Sequence, residues 1–162
     1  MFNTFKENFS RAFFALLFSL ITIATLSFLS FNTNYGLFLA GSFGATMVLI
    51  FGYPESLFAQ PKNVFFGHLI TSLVAIIVLQ FFPFDNFLQI TIAVGFGIFF
   101  MILFGVTHPP AGGNPIVVVL SASSYEFLLN PIFFGTLIII IYAIILNRLI
   151  LKKNYPINWP RP

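Results

Sequence analysis

The sequence predicts an all-α protein, a polytopic bundle of transmembrane helices. Of its 162 residues, 59% are hydrophobic and 7% are charged, and the mean hydropathy of +1.00 is far above that of soluble domains. A soluble core of this size could not cover so much apolar surface. The chain also contains uncharged apolar runs of about 20 residues, the length that crosses a bilayer. We therefore expect a single transmembrane domain over residues 1–162, surrounded by the lipid bilayer.

Six apolar segments are the candidate spans. The four clearest, which lack Asp, Glu, Lys and Arg, are 12–31, 35–53, 64–84 and 87–106. A fifth segment at 116–130 is short and broken, because Asn130-Pro131 interrupts it, and a sixth covers 132–150. We expect six crossings. Five crossings with a re-entrant half-helix at the fifth segment are the alternative.

Two kinds of connector join these segments. Residues 32–34 and 85–86 are turn formers, too short for anything but antiparallel neighbours. Residues 54–63 and 107–115 contain Pro and Gly and cannot be helical throughout.

Phe-Gly pairs suggest a possible internal two-hairpin repeat. The pairs at 43–44 and 51–52 recur at 96–97 and 104–105, an offset of 53 residues. The alternative is coincidence in a chain rich in both residues. A true repeat would put the two Pro-bearing loops on the same face of the membrane, where transporters often bind substrate.

The basic residues indicate the orientation. They lie before the first span, between the second and third, and after the last: Lys6, Arg11, Lys62, Arg148, Lys152, Lys153 and Arg161. The positive-inside tendency therefore predicts that both termini and loop 54–63 are cytoplasmic, in a bacterial inner membrane. Because these residues form no continuous basic stripe, nucleic acid is not an expected partner.

Loop 107–115 is the most informative stretch. Irregular backbone survives in lipid only where protein or a water-filled cavity satisfies its polar groups. Asn114 is suited to cap the fifth helix, whose free amides would then point towards Gly112 and Gly113 and attract an anion. His108 could extend this polar path. The alternative is a plain connector followed by a capped helix.

Loop 54–63 repeats this arrangement. Asn63 could cap the third helix, and Lys62 would add positive charge beside its amides. Two positive helix ends on one face would attract an anion. Taken alone, Lys62 is better explained as a topology signal.

His68 is an ionisable side chain inside an apolar span. It lies about one and a half turns into the third helix, with Thr71 and Ser72 on the same side. Such a residue indicates function, here as a proton carrier or an anion partner. The alternative is a neutral imidazole bonded to a backbone carbonyl. Two His residues without ligand spacing do not predict a metal site, and no cofactor is expected.

The remaining patterns concern packing and catalysis. Gly36, Ala40 and Gly44 recur every four residues and would form a small-residue helix face, able to pair two copies of the chain in a homo-oligomer. The sequence has no Cys, nucleophile elbow, phosphate loop or dinucleotide fingerprint. We therefore expect no enzyme activity and no catalytic residues.

Several blocks taken together resemble the HPP family of integral membrane proteins. They are 41–45 (Gly-Ser-Phe-Gly-Ala), 59–63 leading to Gly67-His68, 107–112 with His-Pro-Pro at 108–110, Asn147-Arg148, and Tyr155-Pro156 with Trp159. The resemblance covers nearly the whole chain. Six spans exceed the four or five usually described for the family, and Gly113-Asn114 departs from its pattern.

The resemblance implies a membrane transporter or channel for a small monovalent anion. Nitrite is the leading substrate, because plastid members of the family are described as nitrite transporters. The residues predicted to bind the anion are Lys62, Asn63, His68, His108, Gly112, Gly113 and Asn114. The alternative is a non-transporting scaffold or sensor that acts with a partner protein.

Overall fold

The computed structural model describes residues 2–158, of which residues 2 and 3 are described by their backbone alone. The predicted fold class is confirmed, because these residues form helices, turns and irregular segments without a strand. Trp159 and Arg161, which contributed to the resemblance and to the orientation, lie outside the described residues.

Four helices in the described part of the chain are long and apolar enough to cross a membrane. They cover Thr4–Asn32, Pro61–Phe81, Asn86–Leu103 and Leu128–Ile150. We name the full first helix α1 (Phe2–Asn32), the second long helix α3 (Pro61–Phe81) and the third α4 (Asn86–Leu103). The last consists of α6 (Phe134–Ala143) between two stretches with π-helical bonds, Leu128–Phe133 and Ile144–Ile150. The first stretch is kinked at Asn130, whose backbone is not helical (φ −123°, ψ 117°), so the interruption predicted at Asn130-Pro131 is present.

The remaining helices are short. Helix α2 (Ser42–Met47) continues as a π-helical turn over Val48–Gly52, and α5 covers Asn114–Leu120. Each of the two Pro-bearing loops contains a three-ten helix, Leu57–Ala59 in one and Pro109–Gly113 in the other. The order of helix, three-ten helix and helix thus occurs twice in the chain. The internal repeat itself stays a prediction.

Local chemistry explains where the hairpin α3–α4 turns. Helix α3 begins at Pro61, whose missing N–H costs nothing in the first turn. It ends at Phe81, after which Phe82 is extended. Helix α4 begins after Asp85, whose Oδ1 accepts a 3.0 Å hydrogen bond from the Leu88 N–H.

The predicted helix over 35–53 is only partly present. Residues 36–40 have no helical structure and the helix begins at Ser42. Gly36 has φ +99°, a conformation that favours glycine. The Phe38 N–H donates to Ser30 Oγ at 2.9 Å, so a side chain at the end of α1 satisfies one amide of this irregular segment.

The predicted small-residue helix face is therefore wrong. Gly36 and Ala40 precede α2, so the every-fourth-residue spacing does not place them on one helix face with Gly44. Gly44 itself is exposed, and a Cβ added to it would meet no atom within 4 Å. A homo-oligomer stays a prediction.

Helix α3 lies at the centre of the bundle and packs against α4, α5 and α6. One buried cluster gathers large apolar side chains around α2, including Phe43, Ile50 and Phe51. A second, smaller cluster joins the last turns of α3 to α4 and α5.

The bundle has two ends that the loops identify. A cavity of about 570 Å³ is lined by Glu7, Arg11, Glu55 and Lys153, which places both ends of the described chain on one side. We call this the terminal end. At the opposite end, Asn130 Nδ2 donates to the Tyr35 carbonyl at 3.0 Å.

The loops show that the chain passes between these two ends six times. The segments that do so are α1, 36–52, α3, α4, 107–120 and 128–150. Three of the six passes contain non-helical or three-ten backbone, at residues 36–40, at Pro109–Gly113 and at Asn130. The number of membrane crossings stays a prediction.

Candidate functional site

Three of the residues predicted to bind an anion meet at one buried cluster. His68 comes from α3, His108 from the loop before α5, and Asn114 from the first turn of α5. Three hydroxyl side chains complete what we call the histidine cluster: Ser42 and Thr46 of α2, and Ser72 of α3. Four of the six are fully buried, and Asn114 and Ser42 are 1% and 9% exposed.

Backbone features of the sequence bring the two histidines together. His108 is extended, as expected for a residue before proline, and this carries its ring away from the three-ten helix that follows. The centres of the His68 and His108 rings lie 4.9 Å apart. Phe43 packs edge-on against His68 from the other side, at 5.2 Å.

Thr46 bridges the two imidazoles. Its Oγ1 lies 3.0 Å from Nε2 of His68 and 3.0 Å from Nε2 of His108. Neither the span pattern nor the family resemblance singled out this residue. The spacing Ser42-x-x-x-Thr46 on a short apolar helix is the signal that could have found it, because it places two hydroxyls on one helix face.

The partners of each ring nitrogen define the neutral tautomers. His108 Nδ1 lies 2.7 Å from the Phe58 carbonyl, which can only accept, so Nδ1 carries the proton and Nε2 accepts from Thr46. Asn114 Nδ2 lies 3.0 Å from His68 Nδ1 and donates to it, so the proton of His68 is on Nε2. His68 therefore donates to Thr46. The hydroxyl proton of Thr46 has two acceptors within reach, His108 Nε2 at 3.0 Å and the Ser42 carbonyl at 3.2 Å, and the shorter contact is to His108.

Asn114 does not cap the fifth helix, and that prediction was wrong. The residue before the helix is Gly113, and the Asn114 N–H bonds to the Ala111 carbonyl because the three-ten helix runs directly into α5. The expected free amide end is therefore absent at this position. Instead the Asn114 side chain turns inward, where Nδ2 also donates to Ser72 Oγ at 2.9 Å. Its buried Oδ1 has no hydrogen-bond partner.

Asn63 also has a different role from the predicted cap. Helix α3 begins two residues earlier, at Pro61, so Asn63 is already inside its first turn. Asn63 Nδ2 donates to the Thr107 carbonyl at 2.8 Å. This bond ties the start of α3 to the loop that carries His108.

Lys62 lies outside the histidine cluster. It is exposed and lines a cavity of about 330 Å³ at the terminal end, together with Phe58, Asn63 and Thr107. We call this cavity the vestibule. Because the Phe58 carbonyl accepts from His108, the histidine cluster lies directly behind the vestibule wall.

Gly112 and Gly113 have no side chain that could reach the histidine cluster. Both are half-buried at the end of the three-ten helix, and a Cβ on either would meet nothing within 4 Å. Their part in binding an anion stays a prediction.

A second set of polar contacts holds loop 54–63 and the segment before it in place. Tyr155 OH donates to the Ala59 carbonyl at 2.9 Å, and Gln60 Oε1 accepts from the Ile157 N–H at 3.0 Å. Asn147 Nδ2 donates to the Ile50 carbonyl at 2.8 Å. Burial raises the pKa of the Tyr155 phenol above its ordinary value of 10.0, so this donor stays protonated.

The charge around the histidine cluster is sparse. The helices that pack around α3 and the three-ten helix Pro109–Gly113 are α2, α4, α5 and α6, and none of them contains Asp, Glu, Lys or Arg within its range. Charged residues occur only beside these helices, where Asp85 precedes α4, Glu126 follows α5 and Arg148 follows α6; Asp85 and Glu126 are exposed. Within residues 2–158, no three His, Asp or Glu side chains come together in a way that could hold a metal ion. The chemistry available at the cluster is therefore hydrogen bonding and proton exchange.

Comparison with known proteins identifies one matching family model and two similar proteins. The sequence model described as "HPP, transmembrane region" matches residues 4–156. A transmembrane protein of Dictyostelium discoideum is 32% identical over 151 residues, covering 87% of this chain and 49% of its own. Another from the same organism is 31% identical over 128 residues, covering 75% of this chain and 45% of its own. The chain thus spans about half the length of these curated relatives. No solved structure matches it.

Proposed function

Because the chain belongs to the HPP family of integral membrane proteins, we propose that it transports a small monovalent anion, with nitrite as the leading substrate. The observation that carries this proposal is the histidine cluster. It places two ionisable rings in the interior of a membrane bundle, and the helices α2, α4, α5 and α6 around it contain no carboxylate within their ranges.

A buried cation needs a counter-charge. An imidazolium in an apolar interior is costly unless an opposite charge pairs with it. When His68 or His108 gains a proton, a monovalent anion is the simplest group that could neutralise it. The two rings, the Thr46 hydroxyl and the Asn114 amide offer hydrogen-bond donors at short range for such an anion.

The vestibule supports uptake from the terminal end. Lys62 puts a positive charge at its wall, and an exposed charge raises the local anion concentration without forming a tight site. The path from the vestibule to the cluster passes His108. Both histidines are 0% exposed, so an anion reaches them only when the loops move apart. This favours a carrier over a permanently open channel.

Purified protein in sealed vesicles tests the proposal. Nitrite uptake down an imposed gradient should exceed the uptake by empty vesicles of the same lipid, which sets the passive background. A matched His68→Gln variant keeps a hydrogen-bonding side chain of similar size, but its amide does not titrate and so cannot become a cation. We expect it to lose most of the protein-dependent uptake.

One result would argue against transport, and another against the role of His68. Vesicles that contain correctly folded wild-type protein and take up no more nitrite than empty ones would favour the scaffold or sensor role. A His68→Gln protein with the wild-type rate and pH profile would remove this histidine from the mechanism and leave it a structural side chain.

A further inference from the structure

We propose that His68, Thr46 and His108 form a proton relay that moves one proton with each anion, and that Asn114 is the amide switch that lets the relay reverse. This inference rests on the proposed anion transport. It assigns a role to Thr46 and to the unpartnered Asn114 Oδ1, which anion binding alone does not explain.

The hydrogen bonds of the cluster run in a single direction. Asn114 donates to His68, His68 to Thr46, Thr46 to His108, and His108 to the Phe58 carbonyl. Each imidazole accepts at one ring nitrogen and donates at the other, and the Thr46 hydroxyl accepts and donates at the same oxygen. Such an arrangement can pass a proton without moving any heavy atom far.

The transfer balances as follows. A proton that arrives at His68 Nδ1 makes this ring a cation, and the ring then gives its Nε2 proton to Thr46 Oγ1. Thr46 gives its own hydroxyl proton to His108 Nε2, and His108 gives its Nδ1 proton to water in the vestibule once the loops have moved apart and the Phe58 carbonyl no longer covers this atom. One proton is taken up at His68 and one leaves from His108, which is the direction of an anion that leaves through the vestibule. The reversed state carries a proton from His108 to His68, in the direction of an anion that enters from the vestibule. No oxidant or other reactant is needed.

After this passage the hydrogen bonds must reverse, and Asn114 can follow them. His68 Nδ1 then carries a proton and faces Asn114, whose Nδ2 is also a donor. Turning the amide by half a rotation presents Oδ1 to His68 and gives this atom the partner that it lacks in the present state. Ser72 fits both states, because its hydroxyl now accepts from Asn114 Nδ2 and could donate to Oδ1 instead.

The charge surroundings couple the proton to the anion. The titratable groups that face each other in the cluster are His68 and His108 themselves. The helices α2, α4, α5 and α6 contribute no Asp, Glu, Lys or Arg within their ranges, and Lys62 faces the vestibule. Asp85 before α4 and Glu126 after α5 are exposed, Arg148 follows α6, and the hydrogen-bond partners of the two rings are hydroxyl, amide and carbonyl groups. A proton in the cluster therefore has no fixed counter-charge. An accompanying monovalent anion would make the loaded cluster neutral.

The test measures nitrite and protons together in vesicles that hold wild-type protein and an internal pH dye. With empty-vesicle background subtracted, an inward nitrite gradient should acidify the lumen at one proton per anion. The nitrite rate should not change when potassium and valinomycin clamp the membrane potential at different values, because the loaded cycle moves no net charge.

Variants at Thr46 test the relay itself. Thr46→Val keeps the side-chain shape and removes the hydroxyl, and we expect protein-dependent proton uptake to fall by more than about tenfold. Thr46→Ser keeps the hydroxyl and should retain most of the proton uptake. If Thr46→Val does not fold, Thr46→Ala serves as the second variant, and the wild-type coupling measurement still decides.

Each outcome has a separate meaning. Nitrite uptake by wild type that is driven by voltage and moves no protons would overturn this inference while leaving anion transport intact. Unchanged proton uptake in folded Thr46→Val would overturn the relay. Absence of any protein-dependent nitrite uptake by wild type would instead overturn the proposed function.

Discussion

Gly67 and His108 lie so close together that a Cβ on Gly67 would stand 2.7 Å from the Cβ of His108. The same added atom would lie 3.2 Å from the Val106 carbonyl oxygen, so the neighbour on that side is backbone and cannot move aside easily. The glycine therefore lets α3 approach the segment that carries His108. We expect Gly67→Ala to displace His108 and to lengthen its bond to Phe58. The rate of nitrite uptake should fall strongly, whereas the thermal unfolding midpoint should change less.

The control for this substitution is Gly95→Ala. Gly95 lies inside α4, and a Cβ there would meet nothing within 4 Å. Nitrite uptake and thermal unfolding in detergent are measured for both variants. Equal uptake by the two variants would show that the close approach of α3 does not position His108.

A second close contact should matter for stability. A Cβ on Gly135 would stand 2.7 Å from the Phe43 ring and 2.8 Å from the Phe38 carbonyl oxygen. Gly135→Ala should destabilise the protein by about 1–3 kcal/mol, the usual cost of overpacking a core. Gly44→Ala is the matched control, because its Cβ is unhindered. Denaturant unfolding in detergent compares them, and equal midpoints would contradict the prediction.

The long helices could be predicted because composition decides them. In lipid, backbone groups must bond internally, so uncharged runs such as 12–31, 64–84 and 87–106 become helices whatever their side chains. This argument does not hold for 36–40, which is not helical and where the Phe38 N–H bonds to the Ser30 side chain instead. Tertiary contacts of that kind leave no periodic trace in the sequence.

The histidine cluster was predictable only in part. His68, His108 and Asn114 were identified because ionisable or capping residues are rare in apolar surroundings. The role of Asn114 was wrong, since a buried amide gains more from His68 and Ser72 than from a helix end already bonded by a three-ten turn. Thr46 was missed because threonine is ordinary in membrane helices, and only the fold shows its two imidazole neighbours.

The phenol of Tyr155 gives a pH-dependent prediction for stability. Burial raises its pKa above the ordinary 10.0, so its bond to Ala59 is fully present at lower pH. As the pH rises past 10.0, the unfolded chain loses this proton while the folded chain keeps it, and the free energy of unfolding falls. Tyr155→Phe should be less stable by about 1–3 kcal/mol at neutral pH, because it leaves a buried carbonyl without its donor.

The measurement is denaturant unfolding of wild type and Tyr155→Phe at several alkaline pH values. The difference in free energy of unfolding between the two proteins should shrink as the pH increases above 10.0, the ordinary pKa of tyrosine. Asn154→Ala is the control, since Asn154 is an exposed neighbour in the same segment. A difference that stays constant with pH would show that the phenol is not buried in the native state.

The arrangement of the termini predicts the topology. Glu7 and Arg11 share a cavity with Lys153 and Asn154, so both ends of the described chain lie on the same side. We expect reporters fused at the N-terminus and at the C-terminus to give the same answer, and the basic residues predict that both are cytoplasmic. Cytoplasmic reporters that are inactive at both ends would reverse the orientation, and reporters that disagree would contradict the six-crossing layout.

Lys62 provides the last prediction. Its exposed ammonium lines the vestibule, so Lys62→Ala should raise the nitrite concentration for half-maximal uptake by about two- to fivefold and leave the maximal rate nearly unchanged. The effect should shrink in about 1 M salt, where the Debye length is only about 3 Å. Lys152→Ala is the matched control, because Lys152 is exposed near the same end and does not line the vestibule. If the two variants shift the half-maximal concentration equally, general surface charge explains the effect and the vestibule is not the route of uptake.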